Sequence, residues 1–184
     1  MKPVAYLLLG VVLFTLLYRW FSSSDDSRQI LTERELIPDF IAEQLTRIVY
    51  DEQGQLSELV QAERMEHYDL LGFTQLDRPI FTLLDRAHNL SWQASSRSAV
   101  LYPDDKLILD GDVLLQNLVT EALIDRVQTS YLEMSLASEI LSTEENVDIF
   151  GAGFTISGRG MQASIAEQTI HIEQHYRTDY HNEP

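Results

Sequence analysis

The segment LTRIVYDEQG, residues 45–54, sets the pattern for most of this chain. Its first six residues combine β-branched and aromatic side chains at a period of two, which is typical of a β-strand. Asp51 and Gly54 then bound a polar turn, with glycine where a positive φ is needed. Residues 56–67 resume the strand pattern, so this segment predicts a strand, a tight turn and a second strand.

The same alternation continues toward the C-terminus. Residues 71–74, 80–84 and 90–94 predict further strands, separated by polar turns at 77–79 and 85–89. Turn signals therefore recur about every 8–12 residues, which is typical of a β-sandwich or jelly roll. We expect a mainly β domain built of two facing antiparallel sheets.

An internal echo supports a stack of hairpins. Residues 92–111 align with residues 132–151, each reading as a strand, an acidic turn, a second strand and a glycine. The acidic pairs at 104–105 and 144–145 are interpreted as solvated turn residues rather than catalytic carboxylates. The pair at 110–111 also fits a tight hairpin turn, and the sequence leaves that alternative open.

A different kind of segment precedes the strands. Residues 3–18, PVAYLLLGVVLFTLLY, are almost wholly apolar and uncharged, with Lys2 and Arg19 at their two ends. A helix of about 18 residues in this region would span about 27 Å, close to the thickness of a bilayer core. No small-residue cleavage site follows, which favours an uncleaved anchor over a signal peptide.

These features predict a division of the chain into three parts. Residues 1–21 form a transmembrane anchor with a short cytoplasmic N-terminus, residues 22–39 a polar linker, and residues 40–184 a β domain outside the cytoplasm. The favoured arrangement is therefore a single membrane span.

Composition excludes several classes of function. The net charge of −16, from 29 acidic and 13 basic residues, argues against nucleic-acid binding, which needs a basic face. The chain has no cysteine, so it has neither disulfides nor thiolate metal sites. We expect no cofactor and no metal.

Enzymatic motifs are also missing. The sequence contains no G-x-S-x-G, H-E-x-x-H or P-loop motif. Residues 158–163 match the loose G-x-G-x-x-A dinucleotide pattern, but too few residues follow for a βαβ unit, so we interpret the glycines as turn residues. His171, Glu173 and His175 alternate along a predicted strand and are interpreted as a solvent-facing row rather than a metal site. The sequence therefore predicts that the protein is not an enzyme.

Two surfaces of a membrane-tethered β-sandwich remain as functional candidates. Its edge strands can add to another sheet, and an apolar cleft between its sheets can hold a lipid chain. Ordinary core packing is the alternative for each apolar residue, and a purely structural tether is the alternative function. The predicted cleft residues are Phe73, Phe81, Trp92, Tyr131, Phe154 and Ile156.

At this point the chain resembles the LptC family of lipopolysaccharide export proteins. The resemblance rests on the N-terminal apolar segment, VYDEQG at 49–54, GFTQ at 72–75 with Pro79 beyond, IFG at 149–151, and the closing segment 166–176.

The resemblance implies a twisted β-jelly roll in the periplasm, anchored in the inner membrane, with a function in outer-membrane assembly. Such a protein would receive lipopolysaccharide from the membrane subunits of an ABC transporter and pass it to a periplasmic jelly-roll bridge protein. It also implies that strand 45–50 docks on the transporter and strand 166–176 on the bridge protein. The implied partner-binding residues are Leu45, Ile48, Tyr50, Gly54, Gly151, Ala166 and Tyr176.

Overall fold

The computed structural model of the protein describes residues 37–85, 90–120, 122–165, 167 and 169–181. The chain divides between Pro38 and Asp39 into two units, and nearly all described residues belong to the second. The predicted anchor and most of the predicted linker fall on residues 1–36 and lie outside the described residues. Within the described part, no helix combines the length and apolar character that crossing a membrane requires.

The described residues of the second unit form β-structure throughout, which confirms the predicted mainly β, antiparallel class. The strands are β1 (Phe40–Tyr50), β2 (Leu56–Tyr68), β3 (Phe73–Asp77), β4 (Ile80–Asp85), β5 (Leu90–Ser95), β6 (Ser98–Leu101), β7 (Lys106–Asn117), β8 (Ile124–Ser135), β9 (Ile140–Gly151), β10 (Phe154–Ser164) and β11 (Thr169–Tyr180). All of their pairings are antiparallel.

Four short strands are the halves of two longer ones. β3 and β4 both pair with β2 and run in the same direction, with only Arg78 and Pro79 between them. β5 and β6 likewise both pair with β7 and are separated by Ser96 and Arg97. The described sheet is therefore a meander of nine long strands that follow one another in chain order.

The sheet is folded into two layers along a line that crosses the middle of every long strand. Layer A contains β3, β6 and the adjoining halves of the long strands, and layer B contains β4, β5 and the other halves. The predicted pair of facing sheets is thus two halves of one continuous hydrogen-bonded sheet. β3 and β4 therefore lie in different layers, as do β5 and β6, whereas β2 and β7 each run through both layers.

Backbone irregularities mark this fold line, which we call the corner. Gln44 in β1, Arg78 between β3 and β4, and Gly111 with Asp112 in β7 all have positive φ angles. The pairing of β7 with β8 also shifts register between Asp110 and Val113. An extra residue in one strand bends it and increases its twist, so the bulge in β7 helps to turn that strand from one layer into the other.

One hydrophobic core joins the layers. Its fully buried members include Leu109 and Leu132 from layer A and Val113 and Ile149 from layer B. Because these residues alternate with outward-facing polar residues, the two layers pack through their inner faces. Burial of this kind of apolar surface contributes about 25 cal/mol per Å² to folding and holds the fold closed at its centre.

Local turn chemistry was predicted correctly where the signal was strongest. Gly54, with φ of +75°, closes the β1–β2 turn, and its N–H donates to the Asp51 carbonyl oxygen at 3.0 Å. The Asp51 carboxylate also accepts a hydrogen bond from the N–H of Gln53 at 2.9 Å. These contacts satisfy turn N–H groups that the strand ladder leaves free.

Two other local predictions were wrong. The acidic pair 144–145 lies inside β9, whereas the pair 104–105 does lie in the β6–β7 turn, so the sequence echo is not a structural repeat. Residues 158–163 lie within β10 rather than in a turn. Gly160 has a φ of +69° and lies where the pairing of β10 with β9 shifts register.

Candidate functional site

On the inner faces of both layers, side chains are more deeply buried near the corner than on the opposite, open side. Next to the corner, the inner-facing side chains are fully buried, and Leu132 is 0% exposed. Nearer the strand ends, inner-facing residues such as Met134 in layer A and Leu115 in layer B are only half-buried. The centre of the domain is therefore packed, and a partly open apolar strip runs along the side opposite the corner.

Four of the six predicted cleft residues lie on the inner face of layer B. Phe81 is paired across the sheet with Ala94, and Ala94 with Leu115, so the three share one face. Phe81, Leu115 and Ile156 all pack against the core, which identifies this face as the inner one. By the alternation of strand residues, Trp92 and Phe154 point the same way.

The other two predicted cleft residues lie on the outer face of layer A. Phe73 alternates with Leu76 of the core, so its ring points away from the core, where it contacts Tyr68 at 4.8 Å and Tyr102 at 6.2 Å between ring centroids. Tyr131 pairs with Asp110 and immediately precedes the buried Leu132, so its side chain points to the opposite, outer face. A single groove lined by all six residues is therefore not what the fold builds.

Tyr131 belongs to a polar cluster on that outer face. Its hydroxyl donates to the Glu133 carboxylate at 2.6 Å, and Lys106 donates to the same carboxylate at 2.6 Å. Burial, and then the hydrogen bond to Glu133, raise the pKa of Tyr131 to about 12. The hydrogen bonds from Lys106 and Tyr131 lower the pKa of the Glu133 carboxyl. These bonds hold the side chains in place and leave no free base for catalysis.

A similar cluster occupies the neighbouring part of the same face. Arg64 donates to Glu66 at 2.6 Å and to Glu43 at 2.8 Å, and the Tyr68 hydroxyl donates to Glu66 at 2.8 Å. The hydrogen bond from Tyr68, followed by that from Arg64, lowers the pKa of the Glu66 carboxyl. The outer face of layer A is thus charged and internally paired.

Sequence reasoning missed several inner-facing residues of the open strip. Leu83 pairs with Trp92, and Met134 pairs with Leu141 of the core, so both share the inner face. A strict period of two counted from a buried neighbour would have found them. Aromatic content, which guided the prediction, does not report which face a residue occupies.

The strand β1 forms one end of the sheet. Within the described residues β1 pairs with β2 alone, so its other edge is available for a further strand. Leu45 packs against the core from this strand, whereas Ile48 and Tyr50 are largely exposed. The predicted docking strand therefore lies at a sheet edge and carries exposed apolar side chains.

The strand β11 forms the other end. In the described part of the chain it pairs with β10 alone. Tyr176 and Tyr180 are exposed to 57% and 79%, and Ile170 is also exposed. Ala166 lies outside the described residues. The two predicted docking strands are thus the two terminal strands of one sheet, at opposite ends.

The two predicted partner-binding glycines occupy different environments. A Cβ added to Gly54 would meet nothing within 4 Å, whereas one added to Gly151 would lie 2.4 Å from the Leu123 carbonyl oxygen and 2.3 Å from the Phe154 ring. Gly151 ends β9, which is an interior strand. It therefore shapes the β9–β10 hairpin rather than presenting a docking edge.

A surface cavity of about 530 Å³ lies at the corner and not between the layers. Its lining includes Leu45, Pro79 and the ion pairs Arg78–Glu63 at 3.0 Å and Arg97–Asp112 at 3.2 Å. The paired charges and the modest apolar lining do not suit an acyl chain, which needs a continuous apolar surface.

No metal centre is evident in the described strands and turns. No three His, Asp or Glu side chains within them are grouped closely enough to hold a metal ion. His171, Glu173 and His175 are all exposed along β11, and His175 pairs with Thr178 Oγ1 at 2.9 Å.

Comparisons with known proteins agree with the geometry. The family model described as "Lipopolysaccharide-assembly, LptC-related" matches residues 5–181. The lipopolysaccharide export system protein LptC of Escherichia coli K12 is 24% identical over 159 residues, covering 86% of this chain and 83% of that protein. LptC of Haemophilus influenzae is 22% identical over 192 residues, covering 94% and 92%.

A solved structure shares the fold. It is LptH of Pseudomonas aeruginosa, the LptA-homologous periplasmic component of the lipopolysaccharide transport device, which superposes with a TM-score of 0.51 at 12% identity. The match covers 69% of this chain and 95% of LptH. With a family model that spans nearly the whole sequence, the chain belongs to the LptC family.

Proposed function

We propose that this protein is an inner-membrane component of lipopolysaccharide transport. It would receive lipopolysaccharide from the membrane subunits of an ABC transporter and pass it to a periplasmic bridge protein of the same fold. Membership of the LptC family and the LptA-like fold support this proposal. The single observation that carries it is a folded sheet whose two terminal strands are both free edges in the described residues.

The two edge strands would each bind one partner protein. A jelly roll that adds its own strand to β1 would extend both layers, and a second one added to β11 would do the same at the other end. Main-chain hydrogen bonds would provide affinity, and the exposed Ile48 and Tyr176 would provide side-chain contacts. The result is a continuous folded sheet that runs from one protein to the next.

The half-buried apolar strip would carry the acyl chains. Each CH₂ group removed from water is worth about 0.8 kcal/mol, so several acyl chains need a continuous apolar surface at every step. Transfer between two similar strips is nearly isoenergetic, so this protein needs no energy source of its own. Trp92, Phe154 and Ile156 lie on that inner face and are the proposed contacts, together with Phe81.

The anchor and the topology complete the proposal. The apolar segment 3–18 would cross the inner membrane once, with the N-terminus in the cytoplasm and the β domain in the periplasm. The net charge of the whole chain, −16, suits a protein that does not hold anionic lipid tightly.

Site-specific photo-crosslinking tests the lipid strip. A crosslinking residue placed at Trp92 or Phe154 in cells should yield lipopolysaccharide adducts, whereas one at Phe73 or Tyr131 on the outer face should not. Equal labelling from both faces, or labelling from the outer face alone, would contradict the strip.

A second function is favoured by one specific observation. The centre of the core is closed, with Leu109, Val113 and Leu132 at 0–1% exposure. A structural scaffold that tethers the transporter, without a lipid path, would need no more than this packed domain. In that case inner-face crosslinkers would give no lipid adducts, although both edges would still bind partners.

A further inference from the structure

An ion pair between a β1 side chain and a β2 side chain lies on the inner face of layer B. Arg47 is directly paired with Val60, which is buried and shares a face with Phe81. Glu58 is paired with Leu83 on the same face. Arg47 and Glu58 contact each other at 2.7 Å between Nη1 and Oε1. This places an ion pair on a face that also carries the apolar side chains of Phe81 and Leu83.

The other cations of the described strands are placed differently. The register assigns the remaining lysines and arginines within these strands to the outer face, or to the corner. Among the lysines and arginines of the described strands, Arg47 is therefore the one that faces the apolar strip. In a protein of net charge −16, it is the local feature that an anionic group on that strip would meet favourably.

The ion pair is open to exchange. The side chains of Arg47 and Glu58 are 62% and 37% exposed. Exposed pairs of this kind contribute little to stability, because water and salt compete for both groups. A phosphate group, which accepts paired hydrogen bonds from a guanidinium, would displace the single contact to Glu58.

An apolar row begins beside the pair. Glu58, Leu83 and Trp92 are successive cross-strand neighbours on the inner face. Strands lie about 4.8 Å apart, so Arg47 on β1 and Trp92 on β5 are separated by about 14 Å. The row therefore offers a cation at one end and apolar side chains beyond it, which is the layout of a site for an anionic amphiphile.

We propose that Arg47 binds the phosphate group of an acylated anionic lipid, with Glu58 as the competing acceptor. The acyl chain would then lie along Leu83 and Trp92. This subsite rests on the proposed lipid-transport function and adds to it a contact that recognises the head group at the β1 end.

The test is equilibrium binding to the full-length protein in neutral detergent. The probes are fluorescent lipopolysaccharide with its phosphates, the same molecule after their removal, and inorganic phosphate as a competitor. Arg47→Gln should weaken binding of the phosphorylated probe about tenfold, since a charge-assisted hydrogen bond is lost, and leave the dephosphorylated probe unchanged. Glu58→Gln should strengthen binding of the phosphorylated probe about threefold, because the competing carboxylate is gone.

Arg177→Gln on β11 is the matched control and should change neither affinity. Inorganic phosphate that binds as tightly as the phosphorylated probe would show that free phosphate, rather than a lipid head group, is the ligand. Equal affinity for both probes in the native protein and in Arg47→Gln would overturn the subsite while leaving the strip intact. If neither probe binds at all, the proposed lipid function itself fails.

Discussion

The middle of the sheet and its two ends are built for different purposes. Strands β7 to β10 supply Leu109, Leu132, Val147 and Met161, all at 2% exposure or less. The terminal strands instead expose large apolar residues, among them Phe40 and Tyr50 on β1 and Tyr180 on β11. Because the free edge of a strand invites pairing, the stability of the domain is concentrated in the middle and its binding capacity at the ends.

The largest expected effect is in the middle. Leu132→Ala would leave a cavity beneath fully buried neighbours and should lower the free energy of unfolding by about 3–4 kcal/mol. Urea denaturation of the purified protein measures this. Ile48→Ala on β1, an exposed position, is the control and should cost no more than about 0.5 kcal/mol. Similar losses from both variants would remove the contrast between middle and ends.

The corner should tolerate change less than the β1–β2 turn. Gly111 and Gly54 both have positive φ, and a Cβ at Gly111 would also displace the exposed Arg97 side chain, which is paired with Asp112, whereas one at Gly54 meets open space. Gly54→Ala should therefore cost about 1 kcal/mol of stability and Gly111→Ala slightly more. Thermal or urea unfolding of the two variants measures both losses of stability. A larger loss for Gly54→Ala than for Gly111→Ala would contradict the prediction.

The β11 edge should respond in binding rather than in stability. Tyr176→Lys places a charge on an exposed edge strand, a feature that opposes strand addition, and should weaken binding to the bridge protein about fivefold. Surface plasmon resonance with purified bridge protein measures the effect. Leu136→Lys, at the exposed β8–β9 turn, should leave the affinity unchanged. An equal loss in that control would place the docking surface elsewhere.

The smallest effect is expected from the outer face of layer A. Hydrogen bonds from Lys106 and then Tyr131 lower the pKa of Glu133 below its usual 4.5. Its stabilising contribution is therefore complete above pH 4.5 and is lost as the pH falls through the lower, folded-state pKa. The stability difference between the native protein and Glu133→Gln should shrink on acidification from pH 6 to pH 3. A difference independent of pH would show that the carboxylate charge is not involved.

Local signals in the sequence predicted local structure well. Asp51 and Gly54 specify their turn through their own backbone preferences, and the period of two gave the β class. The family resemblance was confirmed as well. These features depend on residues close together in the chain, so no knowledge of the tertiary fold was needed.

The assignment of faces was less predictable. In β2 the core-facing Ala62 and Met65 are three residues apart, so alternation counted through the corner of that strand changes phase. Phe73 and Tyr131 were predicted to line the cleft, and the pairing register puts them on the outer face. Which face a residue occupies depends on how the two layers meet, which a single strand does not encode.

The separate roles of the two terminal strands can be tested directly because the protein has no cysteine of its own. Single cysteines at Ile48, Tyr176 and Gln128, each carrying a photo-crosslinker, would report on β1, β11 and an interior strand in cells. The account predicts adducts with transporter subunits from Ile48, adducts with the bridge protein from Tyr176, and neither from Gln128. Adducts with one and the same partner from both ends, or adducts from Gln128 alone, would contradict it.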